Sequence, residues 1–210
     1  MNKKWDISTW NRKEIFEFFS TFEEPYFGIT ASLDMTKAYD MAKSANHSIF
    51  LIYLYTSLRA VQNIYPLKLR IEGAEIVEYE TIHASATINR PDGTFGFSFI
   101  QYDETFSNFT INARSEIDRI QNSINLFPER NGNDCIHFSA LPWIDFTSLS
   151  HARKYNTKDS VPKISFGKII NQGAKKMMPC SIHVHHGLAD GKDVGTFFEL
   201  FQDELNNVNF

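Results

Sequence analysis

The chain has 210 residues, enough to bury one substantial core, so a single unit spanning 1–210 is the default expectation. Apolar residues make up 42% and charged residues 22%, an ordinary globular balance, and a formal net charge of −4 argues against nucleic acid as a partner. The N-terminal "MNKKWDISTWNRKEIF" has no apolar stretch of a secretory leader, and the run "SIFLIYLYTSLRAV" is too short and too polar-flanked to span a bilayer; with Cys135 and Cys180 far apart, a cytoplasmic protein with free thiols and no membrane partner is expected.

In chain order, "STWNRKEIFEFFSTF" spaces Trp10, Ile15, Phe18 and Phe19 as one helical face behind a Ser/Thr cap candidate. "YFGITASLDMT" alternates as a strand does. "MTKAYDMAKSAN" and "HSIFLIYLYTSLRAVQNI" read as helices, the second apolar nearly all round and therefore buried. Short strands are expected in "LKLRIEG", "EIVEYET", "ASATIN" and "TFGFSFIQY", the last two joined by the Pro/Gly turn of "RPDGTF". "NARSEIDRIQNSINLF" reads as an amphipathic helix, and "CIHFSALPWIDFTS" as a strand stopped by Pro142. "PKISFGKII" and "PCSIHVHH" read as strands, each opened by a proline, and "GKDVGTFFELFQDEL" as the last helix. Strands and helices without a regular βαβ beat imply α+β: a two-layer sandwich with helices covering a mixed sheet.

The chemistry concentrates in "SIHVHHGLADG", which holds three of the seven histidines. On a strand, His183 and His185 share one face and His186 takes the other. Two same-face histidines could begin a zinc site, but no HExxH or CxxC accompanies them, so no metal is expected. His183 and His185 read more simply as hydrogen-bonded strand residues. His186 sits where the strand gives way to a turn with glycines on both sides of an acid, a place where an imidazole is held yet reaches a ligand, suited to general-base work near neutral pH. Asp190 could orient that imidazole, pair with an arginine, or cap the helix that follows.

"MMPCSIHVHHGLADGKDVGTFFELFQDEL" resembles the C-terminal signature of the chloramphenicol acetyltransferases. "FSALPWIDFTSLS" and "PKISFGKIINQGAKKMMP" resemble the same family, as do "WNRKEIFEFF", "SLDMT", "LKLRI" and "LFPERNGND", so nearly the whole chain is covered in order. The resemblance implies a chloramphenicol-acetyltransferase-like sandwich, a homotrimer with active sites at subunit interfaces, and acetyl-CoA as co-substrate with a small-molecule acceptor. It implies His186 as general base, Ser148 as the oxyanion donor, a structural ion pair between Asp190 and Arg12, Ser165 holding water near the transition state, and Lys168 near CoA. Phe27 and Phe95 match ring positions of the acceptor pocket. There the chain also departs from the family: Phe97 replaces a small residue, Asp159 and Ser160 stand where two aromatics precede the proline, and His183 replaces a common glutamine. Phe97 and Ser160 are therefore candidate acceptor contacts. These departures leave open chloramphenicol, a different hydroxyl or amino acceptor, and a silent binder of CoA or an aromatic ligand.

Overall fold

The computed structural model describes residues 2–153 and 159–210. In chain order the elements are β1 (Lys3–Trp5), α1 (Lys13–Phe19), β2 (Tyr26–Asp34), α2 (Thr36–Ser44), α3 (Ile49–Gln62), a 3-10 turn (Tyr65–Lys68), β3 (Leu69–Glu72), β4 (Glu75–Glu78), β5 (His83–Asn89), β6 (Phe95–Phe97), α4 (Phe106–Gln121), β7 (Cys135–Ala140), β8 (Lys163–Phe166), β9 (Ile170–Gln172), β10 (Lys175–His185) and α5 (Gly191–Asn206). The main sheet runs β2–β10–β8–β7–β5–β6, with β9 also on β10; β1–β4–β3 form a small second sheet. β5, β7 and β8 pair in parallel and the other neighbours antiparallel. The mixed sheet with helices against it is the expected α+β sandwich.

Local chemistry explains the boundaries. Helix α3 starts where the Ser48 hydroxyl accepts from Leu51 N–H, and most of its residues are buried, as an all-round apolar helix must be. Helix α4 begins six residues before "NARSEIDRIQ" because the Thr105 hydroxyl caps it, accepting from Asn108 N–H at 3.3 Å. It stops before "NSINLF", where the Asn122 side chain donates to the Asp118 carbonyl at 2.8 Å and closes the last turn. Pro179 does not open its strand, as its sequence position suggested, but lies inside β10. Its carbonyl accepts from Gly167 N–H, so its nitrogen faces the gap where β10 changes partner from β9 to β8, and no ladder bond is lost. Arg70 of β3 is wholly buried and donates to the carbonyls of Asn133 and Cys135 at 2.7 and 2.6 Å, tying the small sheet to the start of β7.

The main sheet has two unlike faces. Ala84, Ala86, Ile136, Phe138, Ile164, Phe166, Cys180 and Ile182 point to one side and share a buried cluster with residues of α2, α3, α4 and α5, such as Ala38, Leu58, Phe109 and Phe201. Their alternates are polar. Cross-strand register lines up Ser85, His137, Lys163 and His183 across the sheet, ending on Gly28. The next row is Ser139, Ser165, Ser181 and Thr30. Gly28 is required there: a Cβ on it would lie 2.3 Å from the His183 ring.

Candidate active site

The turn after β10 is braced from several sides. His186 N–H donates to the Pro25 carbonyl at 2.8 Å, and Leu188 and Ala189 N–H close onto the His185 carbonyl. The half-buried His186 ring stacks on Phe19 at 4.0 Å and 7°, and Phe27 lies tilted against it at 4.5 Å. Its Nδ1 is buried without a hydrogen-bond partner among the described residues. Arg12 Nη1 meets Asp190 Oδ2 at 2.9 Å, while Nη2 donates to the His186 carbonyl at 3.4 Å. Asp190 also caps α5, accepting from Lys192 and Asp193 N–H, and the Asp193 carboxylate returns a bond to Asp190 N–H. The Arg12 hydrogen bond, with the cap bonds behind it, holds the Asp190 carboxyl below the usual range. Capping and ion pairing, open alternatives in the sequence, are both present.

The other two histidines of the motif face the polar side. His185 is buried and its Nδ1 accepts from Gly187 N–H at 3.1 Å, so that nitrogen carries no proton. Burial, with the Arg153 charge adding, pushes it down to about 4. His183 lies over Gly28, edge-on to His151 at 4.9 Å, with Ser181 Oγ 3.5 Å from its Nδ1. Burial lowers its pKa too. Among the described residues no three His, Cys, Asp or Glu side chains converge as a metal site requires.

Two cavities lie against the sheet. One, of about 640 Å³, is walled largely by apolar groups including Phe50, Tyr53, Ile88, Trp143 and Leu149, and is also lined by Ser165. The second, of about 670 Å³, has His137, Lys163, Asp159 and Asn131 on its walls, and Phe97 and Phe127 stacked 5.5 Å apart. They meet: Thr87, Ser139 and His151 line both. At that junction His151 Nε2 is 3.4 Å from Ser165 Oγ. Lys163 Nζ binds Asp159 at 2.7 Å and the Val161 carbonyl at 3.2 Å. Burial, the largest single influence, works to raise the Asp159 carboxyl, but the Lys163 charge and hydrogen bond together with the Val161 N–H outweigh it, and the net shift is downward. Burial depresses Lys163 and pushes His151 down to about 4, with nearby positive charge adding; His137, exposed to the cavity, is shifted in the same downward direction.

The structure therefore brings Arg12, Asp190, His186 and Phe27 together at the β10 turn, and Ser165 and Phe97 at the cavities. Ser148 is exposed next to Leu149 and lines neither cavity. Phe95 is exposed and packs edge-on to Phe97 at 5.6 Å. The Ser160 hydroxyl is buried and accepts from Ile71 N–H at 2.8 Å, away from both cavities. Lys168 is exposed, its backbone N–H donating to the Ile144 carbonyl. Sequence reasoning did not single out His137, His151 or Lys163. Strand alternation could have placed Lys163 with Ser165 and His137 with Ser139, but nothing local sets those strands side by side.

Comparison with known proteins agrees with this architecture. The family model described as chloramphenicol acetyltransferase matches residues 1–202. A chloramphenicol acetyltransferase of Bacillus pumilus is 30% identical over 193 residues, covering 91% of this chain and 88% of that one. Chloramphenicol acetyltransferase 3 of Escherichia coli is 25% identical over 206 residues, covering 97% of each. A solved structure of a chloramphenicol acetyltransferase superposes with a TM-score of 0.87 at 31% identity, covering 98% of this chain and 100% of that one. Fold and relatives together define an acyltransferase. The chain belongs to the chloramphenicol acetyltransferase family.

Proposed function

We propose that residues 1–210 act as one acetyl-CoA-dependent O-acetyltransferase unit, with chloramphenicol as acceptor, giving resistance to that antibiotic in the cytoplasm. The observation that carries this reading is the fixed imidazole of His186, clamped between Phe19 and Phe27 with its backbone carbonyl held by Arg12. With Nδ1 enclosed, Nε2 is the nitrogen left to meet a reactant. It takes the proton from the acceptor hydroxyl, and that oxygen attacks the thioester carbonyl carbon. A C–O bond forms, the tetrahedral oxyanion collapses, the C–S bond breaks, and the CoA thiolate takes the proton back from His186. No acyl-enzyme is needed. The Ser148 hydroxyl donates to the oxyanion, a contribution of about 10²–10³ in rate for such donors. Ser165, at the cavity junction, holds water near the transition state, and Asp190 with Arg12 fixes the turn.

Two meeting cavities suit a two-substrate reaction. The apolar-walled one fits the extended arm of acetyl-CoA, and the other, with Phe97 on its wall, the acceptor; exposed Lys168 is the proposed contact to CoA outside the cavities. His186 lines neither of them in its own chain, and exposed Phe18 and Phe22 lie beside the Phe19 ring that it stacks on. Both points support a homotrimer in which His186 of one subunit serves the cavities of the next. Thiol release from acetyl-CoA with chloramphenicol tests the activity. Turnover that falls by about 10²–10⁴ in His186→Ala is expected; wild-type release no greater than that of the variant would sink the reading.

A further inference from the structure

The second cavity is chemically lopsided. Its floor is the polar row Ser85, His137 and Lys163, set side by side by the strand register, and one wall is the stacked pair Phe97 and Phe127. The His137 side chain is open to the cavity and has no hydrogen-bond partner among the described residues. The Lys163 ammonium uses two of its three N–H bonds, on Asp159 and the Val161 carbonyl. Asn131 adds an exposed amide at the rim. Hydrogen-bonding groups therefore share this cavity with the apolar Phe97–Phe127 pair.

An acceptor that covers this floor with an apolar body would strip water from His137 and the Lys163–Asp159 pair and return no hydrogen bond, which carries a steep penalty. An acceptor with several hydroxyls replaces that water on the floor, and presents its C–H edges to the Phe97–Phe127 wall. We infer that this cavity selects a polyhydroxylated acceptor, a sugar or polyol, over an aryl alcohol of similar size, with His137 and the Lys163–Asp159 pair as the specificity determinants. The inference rests on the acetyl-transfer reading but not on chloramphenicol as its acceptor, which a sugar or polyol would displace from this cavity. The chemistry is unchanged: one acceptor hydroxyl oxygen takes the acetyl group, its proton passes through His186, and CoA leaves as the thiol. Ser165, 3.4 Å from His151 where the cavities meet, lines the first cavity, the one proposed for acetyl-CoA.

The test is thiol release from acetyl-CoA with methyl glucoside, mannitol, 3-phenylpropanol and chloramphenicol, each read as kcat/KM on the wild-type protein and on His137→Phe. The expected result is a polyol kcat/KM at least about tenfold above that for 3-phenylpropanol, because a site that hydrogen-bonds its substrate rejects the analogue lacking the partner. In His137→Phe the ratio should shrink about tenfold or more, mainly through KM. If 3-phenylpropanol matches or exceeds both polyols, the inference is overturned; if the ratio is unchanged in a folded His137→Phe, the role of His137 is overturned. Should the variant fail to melt cooperatively, the wild-type ratio decides alone. Release with chloramphenicol but not with polyols defeats this inference while leaving acetyl transfer standing. No release with any acceptor above the His186→Ala background defeats the underlying reading instead.

Discussion

The two faces of the main sheet are made by the same strands and behave as different materials. Phe138, Ile164 and Ile182 are at most 2% exposed and pack under the helices, while their chain neighbours His137, Lys163 and His183 line up on the opposite side. Period two thus separates stability from chemistry at single-residue resolution. The apolar face is held by burial, which is cheap to rely on and costly to cut. The polar face is held by register and by keeping its imidazoles neutral, so it fails under different stresses.

Truncation on the apolar face should have the largest effect. Phe166→Ala removes a ring packed against Phe138, Tyr53 and Phe201, and should cost about 3–5 kcal/mol in urea unfolding. Ser165→Ala, one residue away on the polar face, should cost no more than about 1.5 kcal/mol. Equal costs would mean that the two faces are not energetically distinct.

Acid should attack the polar face first. Half-buried His151 and buried His185 are held near 4 in the fold against an ordinary 6.5. Between those values the unfolded chain binds more protons than the folded one, so stability falls as pH drops from 6.5 towards 4. The slope in that window should exceed the ~1.4 kcal/mol per pH unit of one proton. Melting temperature against pH checks this, and His185→Gln should flatten the curve; a profile level from 7 to 4 would contradict it.

A smaller effect isolates one contact of the polar row. Gly28→Ala would push a methyl into the His183 ring and should destabilise by about 1–3 kcal/mol. In a His183→Ala background the same change should be nearly neutral, and this double-mutant cycle would show no coupling if the ring were free to move aside.

Much of the fold was legible because it rests on periodicity. Nearly every strand and helix was placed, and the buried character of α3 followed from its composition. β1 was not read, since three residues of "KKW" carry no pattern until β4 lies beside them. The displaced start of α4 turned on one threonine hydroxyl, and the position of Pro179 on a change of partner strand. At the site, "SIHVHHGLADG" indicated His186 and Asp190, and its faces followed from alternation. The junction of the cavities did not: His151 lies in a stretch with no periodic signal, and His137, Lys163 and His183 become a row only through a register that no single segment encodes. Ser160 shows the opposite failure, since its place where the family has a pocket aromatic suggested an acceptor contact while its hydroxyl serves the backbone of β3.

In the proposed assembly, His186 of one subunit completes cavities carried by another. Co-expression of His186→Ala and Ser148→Ala chains tests it, with each variant alone as the control. Both homo-oligomers should be strongly impaired, and the mixture should regain about a quarter of wild-type acetyl transfer. That fraction is the chance that a random interface unites the two intact residues. A mixture no more active than its parents would contradict it, because residues that act within one chain cannot complement across two.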